Sequence, residues 1–127
     1  MSQPQRVIDE APFRLPDDLT ETELVAKYFR GLGNPTRLRI LELVGDGERS
    51  VGELAELVGE PQPKVSNHLA CLRWCGYVTT RRDHRTIYYR QADERVAAMI
   101  SLAHALLHEN ADHVAACCRI HHMTEGE

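Results

Sequence analysis

Between Val51 and Gly76 the sequence writes two short helices around a single glycine. Leu54, Ala55, Leu57 and Val58 recur at helical spacing and stop at Gly59. Pro61 and Pro63 open a second helix, where proline is tolerated because the first-turn N–H groups have no partner anyway. At 100° per residue, Val65, Leu69 and Leu72 fall within about 60° of one another and form its buried stripe. Gly76 stands where a helix-ending glycine belongs. Two short helices joined by so tight a turn have the spacing of a helix-turn-helix.

The flanking segments complete an architecture. Residues 1–18 hold three prolines and no sustained period, which reads as a mobile N-terminal arm. Thr20 and Glu23 have the form of a capping box. They open a helix with Leu24, Val25, Tyr28, Phe29 and Leu32 on one side, ended by Gly31 and Gly33. Asn34 caps the next, with Pro35 in its first turn and Leu38, Ile40, Leu41, Leu43 and Val44 as its core side. After Gly76 the period changes. Tyr77–Arg82 and Thr86–Arg90 read as a β-hairpin with Asp83, His84 and Arg85 at its tip. From Ala92 to Cys118 the pattern is helical again, through Val96, Met99, Ile100, Ala103, Leu106 and Leu107. One helix of that length extends about 38 Å, long for so small a domain. It is expected to pack, with the first helix, against a partner chain. The expectation is a mainly α winged helix-turn-helix over residues 19–118, dimeric through its first and last helices, with 119–127 as a tail.

Composition narrows the function. A chain of 127 residues with 43% apolar content is one domain with a modest core, which dimerisation would help. No apolar run approaches a membrane span, and the N-terminus has no apolar signal stretch, so a cytoplasmic protein is expected. There is no glycine-rich phosphate loop, no Ser-His-Asp set and no C-x-x-C motif, so no enzyme is expected. The net charge of −4 hides a segregation. Residues 61–90 carry Lys64, Arg73, Arg81, Arg82, Arg85 and Arg90 against Asp83 alone, a local +5, leaving −9 on the rest. A basic patch on an acidic protein suits a polyanion that docks in one orientation. On the second helix Gln62, Lys64, Ser66, Asn67 and His68 project near the N-terminal end, away from the buried stripe. Asn and Gln bind adenine in two-pronged fashion, while Lys and Ser more often hold guanine or phosphate. Arg81, Arg82, His84 and Arg85 on the hairpin are placed to grip backbone or the adjoining minor groove.

The run Gly33-Asn34-Pro35-Thr36-Arg37-Leu38-Arg39-Ile40-Leu41, the run Val65-Ser66-Asn67-His68-Leu69 leading to Leu72-Arg73, and Gly76-Tyr77-Val78 before the hairpin together resemble the ArsR/SmtB repressors of bacteria. The resemblance covers about residues 22–115. It implies a homodimer that binds double-stranded operator DNA and lets go when a metal ion or related inducer binds. It also implies control of a metal resistance or efflux operon.

Four cysteines supply the inducer chemistry. Cys71 and Cys75 are four apart on one helix, with Cβ atoms about 5–6 Å from each other, so both sulfurs reach one soft ion. Cys117 and Cys118 lie at the far end of the last helix, after His113 and before His121 and His122. Across a paired dimer this tail could reach the recognition helix of either chain. Among the family's alternative sites, the cysteine pair in the helix before the recognition helix is missing, since Ser50 and Gly52 occupy those positions. The zinc pattern of the last helix is missing too, because Asp93-Glu94-Arg95 lacks its histidine and neither His104 nor His108 is followed by the required carboxylate. What remains resembles the cadmium- and lead-sensing branch, matched by Cys71, Cys75 and Cys117. Three thiolates with no carboxylate favour Cd(II), Pb(II), Hg(II) or As(III), and Zn(II) would need a fourth ligand such as His121 or His122. Two other readings stay open. One is a thiol redox switch joining a helix cysteine to Cys117 or Cys118; the other, of a different class, is a metal carrier or thiol enzyme.

Overall fold

The computed structural model describes residues 19–117. The chain divides into one unit ending at Ala92 and another beginning at Asp93. Within the first, helix α1 spans Glu21–Arg30 and starts from the expected capping box: Thr20 Oγ1 accepts from the Glu23 N–H at 3.1 Å, and Glu23 Oε1 accepts from the Thr20 N–H at 2.9 Å. Its apolar stripe is in place but not buried, with Leu24, Val25 and Phe29 exposed.

Helix α2, Pro35–Gly45, begins at Asn34, whose side chain accepts from the Arg37 N–H. It contributes Ile40, Leu41, Leu43 and Val44 to the core. Helix α3, Val51–Val58, opens on a second capping box between Ser50 and Glu53 and closes on Gly59. That glycine has φ +73°, the left-handed region in which a Cβ is strained. Of the expected core side of α3, Leu54 and Ala55 are buried, whereas Leu57 is exposed. Helix α4, Gln62–Trp74, buries Val65, Leu69 and Leu72 completely. It ends in a Schellman closure: the Gly76 N–H donates to Arg73 O, and the Tyr77 N–H to Leu72 O.

The hairpin is β2, Val78–Asp83, and β3, Thr86–Gln91, turning through His84 (φ 59°) and Arg85. It starts one residue later than the sequence implied, because Tyr77 is used in the helix closure and is fully buried. A third strand was not foreseen. Arg49–Ser50, β1, pairs antiparallel with β3 in the order β1-β3-β2. Two polar residues carry no period-two pattern, so only the pairing reveals them.

The second unit corrects the expectation of one long helix. Helix α5 runs Glu94–His108, about 22 Å, and a short α6, Ala111–Ala116, follows. At the break the Glu109 and Asn110 N–H groups bond three residues back, to Leu106 and Leu107, and Asn110 leaves helical geometry at φ −131°. Asparagine competes poorly for helix interiors, which is the local reason. Val96 and Ile100 are buried, while Ala103, Leu106 and Leu107 are exposed. Among the described residues no helix is long and apolar enough to cross a membrane.

The turn at Gly59 yields a direct test. A Cβ there meets no atom within 4 Å, so the cost of Gly59→Ala is conformational alone. It is expected to lower unfolding free energy by about 1–2 kcal/mol, read as a lower urea midpoint with an unchanged slope.

Candidate functional site

Because Val65, Leu69 and Leu72 fix which side of α4 faces the core, the opposite side is presented outward. Gln62, Lys64, Ser66 and Asn67 are all exposed there. Lys64 Nζ pairs with Glu60 at 3.2 Å, one helical turn back. The Gln62 amide reaches toward the start of α3, where a Cβ on Gly52 would sit 3.5 Å from its nitrogen. His68 is placed differently from these four. It is half-buried, and its Nε2 is enclosed without a hydrogen-bond partner. Burial, with the charges of Arg37 and Lys64, holds its pKa below the usual histidine value against the opposing pull of Glu60. It sits at the boundary of the helix as a neutral ring.

On the hairpin, Arg82, His84 and Arg85 are exposed, and His84 at the tip leaves 94% of its side chain in solvent. Arg81 is tied down instead. Its guanidinium forms a two-pronged pair with Glu48, at 2.8–3.0 Å, and lies over the Tyr88 ring. The hydrogen bonds to Arg81 hold the Glu48 carboxyl below its ordinary pKa.

Cys71 on the flank of α4 and Cys75 at its C-cap are free, half-buried thiols. Burial, together with the neighbouring Cys71, pushes the Cys75 thiol up to about 11, against the milder opposing pull of Arg37 and Lys27. The end of α1 closes over this thiol. A Cβ on Gly31 would stand 3.2 Å from Cys75 Sγ and 3.6 Å from the Tyr77 ring. Arg37 Nε donates to Gly31 O at 2.7 Å, and the Tyr77 hydroxyl donates to Tyr28 O at 2.8 Å. The Tyr28 and Tyr77 rings stack at 4.3 Å. Sequence reasoning found the two cysteines and missed this surround, for which Gly31 beside a helix end was the one available signal.

Two thiols four residues apart on one helical flank fit a soft ion as two of its donors. Among the described residues no three His, Cys, Asp or Glu side chains gather as a metal site. Cys117 is a half-buried thiol at the end of α6 in the second unit, and His104, His108 and His113 are exposed on α5 and α6. Cys118, His121 and His122 lie outside the described residues, as does the arm at 1–18.

The geometry of α2 through β2 has a counterpart in known proteins. Residues 34–80 match the pattern of the bacterial regulatory proteins of the arsR family. A probable mercury resistance operon repressor of Streptomyces lividans is 44% identical over 108 residues, covering 85% of either chain. The chain belongs to the arsR family. The transcriptional regulator KmtR of Mycobacterium tuberculosis is 43% identical, over 93% of this chain and 86% of its own. Among solved structures, a homodimeric winged helix-turn-helix DNA-binding domain from Mycobacterium bovis superposes with a TM-score of 0.67 at 31% identity, over 78% of this chain and 92% of that one. These relatives and this fold are those of transcriptional regulators, not of enzymes. The arsR match spans Lys64, Ser66, Asn67, Cys71 and Cys75, so the outward face and the thiol pair lie in the family's shared segment.

The Cys75 environment predicts its reactivity. Raising a thiol from near 9 to about 11 leaves about 100-fold less thiolate at pH 8. The greater nucleophilicity of the more basic sulfur offsets roughly tenfold of that. Cys75 in the folded chain is therefore expected to alkylate at least about tenfold more slowly than in urea. Mass spectrometry of iodoacetamide-treated protein checks this; equal rates would mean that the thiol is not enclosed.

Proposed function

We propose that this arsR-family chain is a homodimeric repressor that occupies operator DNA and is released when cysteine thiolates bind a soft metal ion. The observation that carries the reading is the position of the paired thiols. Cys71 and Cys75 lie on the helix that also presents Lys64, Ser66 and Asn67 outward, so ligation acts on the element that reads DNA. Asn67 suits an adenine edge, Lys64 and Ser66 suit guanine or phosphate, and Arg82, His84 and Arg85 suit the backbone beside the groove. Gln62, exposed at the start of α4, suits an adenine edge as Asn67 does. His68 and Arg81 serve the frame more than the contact.

The dimer is supported by the Mycobacterium bovis domain, which is homodimeric, and by exposed apolar surface. Leu24, Val25 and Phe29 on α1, and Leu102, Leu106 and Leu107 on α5, are the kind of side chains a second copy covers. A two-fold dimer sets half-sites about one helical turn, roughly 34 Å, apart or a multiple of it.

For the ion, Cys71 and Cys75 supply two thiolates, and Cys117 or Cys118 the third. Cd(II) and Pb(II) head the list, with Hg(II) and As(III) of similar softness; Zn(II) would draw on His121 or His122 as well. The mercury resistance repressor among the relatives lends weight to a soft-ion inducer and a resistance operon. Coupling between ion and DNA of about 1–3 kcal/mol, a factor of roughly 5–150, empties an operator. Oxidation that starts at Cys75 is the weaker trigger, since a thiol that holds its proton to about 11 is a poor nucleophile at neutral pH.

The test is an anaerobic titration of the reduced protein with Cd(II), Pb(II) and Hg(II), following thiolate-to-metal charge-transfer absorption. Saturation at one ion per chain is expected, lost in Cys71→Ser, in Cys75→Ser and in one of Cys117→Ser and Cys118→Ser. The same ion should release a DNA duplex bound by the wild type but not by Cys75→Ser. Weak, non-stoichiometric signals indifferent to Cys71→Ser would sink the metal reading.

A further inference from the structure

The hairpin is longer than the sheet that holds it. β1 supplies only Arg49 and Ser50, paired with Tyr89 and Tyr88 of β3. Among the described residues β1 pairs with β3 no nearer the tip than Tyr88, and residues 81–87 are all exposed. A two-stranded ribbon is marginal in water and free to twist, so something must set the angle at which this one leaves the helices.

One side chain crosses the whole sheet. Arg81 on β2 stands opposite Tyr88 on β3, which stands opposite Ser50 on β1. The Arg81 guanidinium passes over the Tyr88 ring, with Cζ 5.0 Å from its centroid. It ends on Glu48: Nε donates to Oε1 at 3.0 Å and Oε2 at 2.9 Å, and Nη2 donates to Oε1 at 2.8 Å. Glu48 stands on firm ground. Its neighbour Arg49 donates to Leu43 O at the end of α2, and Ser50 caps α3. The fork, the ring and the carboxylate make a strap from the helix-turn-helix to the wing, with cation–π contact in its middle and a charge-assisted bidentate bond at its end.

Charge alone gives Glu48 the opposite role. A carboxylate beside a surface that meets phosphate repels it and should weaken binding. We propose that Glu48 is a positioning residue for DNA binding, fixing through Arg81 and Tyr88 the angle of the wing so that Arg82, His84 and Arg85 meet the backbone. The inference rests on the DNA-binding reading above. It recasts Arg81 as a strut between Glu48 and the wing, leaving phosphate contact to the tip.

The experiment compares wild type, Glu48→Gln, Arg81→Gln and the double variant. Binding to a fluorescein-labelled 30-base-pair random-sequence duplex is read by anisotropy at low salt, where phosphate contact dominates. Hydrogen exchange of the wing is read by mass spectrometry. Glu48→Gln is expected to bind about three- to tenfold more weakly although it removes a negative charge. The double variant should be no weaker than Arg81→Gln, because both changes cut one strap. Exchange should quicken in residues 81–87 and not in α4, which a general loss of stability would not do. Binding by Glu48→Gln equal to or tighter than wild type, or unchanged wing exchange, overturns the proposal. Failure of the wild type itself to bind the duplex overturns the DNA-binding reading and this role with it.

Discussion

Tyr77 is wholly buried where α4 gives way to the wing, and its backbone and side chain face three ways at once. Its N–H closes α4 through Leu72 O, its carbonyl accepts from the Ala92 N–H at the far end of the hairpin, and its hydroxyl donates to Tyr28 O in α1. A buried hydroxyl without a partner is costly, so the orientation of α1 against α4 follows from satisfying it. Gln91 adds a second tie, donating to Leu41 O of α2 across the open end of the wing. Helix α4, the hairpin and α1 therefore share one anchor.

That anchor is also why the thiol pair has the character it does. Closing α1 against α4 brings Gly31 over Cys75, where a Cβ would stand 3.2 Å from both the sulfur and Tyr28 O and would oblige one of them to shift by a few tenths of an ångström. The same closure removes water from Cys75 and raises its pKa. A cysteine four residues from another on an open helix would be an ordinary reactive thiol. Here the fold makes it a poor nucleophile that still has a soft sulfur to offer an ion able to displace its proton.

How much of this was legible in the sequence depends on how local the cause is. Thr20, Asn34 and Gly59 act within a few residues of themselves, and each helix boundary they imply is where the structure puts it. The stripe of Val65, Leu69 and Leu72 is a matter of helical period and was equally plain. The two-residue β1 was hidden because its only signature is pairing with β3, a partner about forty residues away in the chain. The α5–α6 break was missed because the apolar pattern continues across it, and one asparagine outweighs the pattern where Leu106 and Leu107 bury little. For the site, residue type pointed to Lys64, Ser66, Asn67, Cys71 and Cys75, but not to which basic groups are already engaged. Nothing in the run Arg81-Arg82-Asp83-His84-Arg85 distinguishes Arg81, whose partner Glu48 lies 33 residues earlier. Helical spacing likewise placed His68 beside the outward residues without revealing that its Nε2 is enclosed.

A repressor of this build has to solve two problems with one helix. On the proposed reading it presents a face rigid enough to read DNA, and the same helix moves when an inducer arrives. Rigidity comes from the core stripe and from Tyr77, which fix α4 along its length and at its end. Movement has to enter where that fixing is polar and local, because packed apolar surfaces resist small shifts. Near Cys75 the end of α4 meets the end of α1 through the Tyr77–Tyr28 hydrogen bond and ring stack and through Gly31 over the thiol. Arg37 of α2 ties Gly31 from the other side, each hydrogen bond being worth about 1 kcal/mol net. On the proposed reading an ion bound by both thiols acts on the sulfur packed against Gly31, away from the buried Leu69 and Leu72 and next to those hydrogen bonds. The free energy needed to rearrange them is of the same order as the coupling that separates an occupied operator from an empty one. On the same reading, DNA that holds α4 in place also opposes the ion by reciprocity, and a seam weak compared with the core beneath it is where such a switch would act.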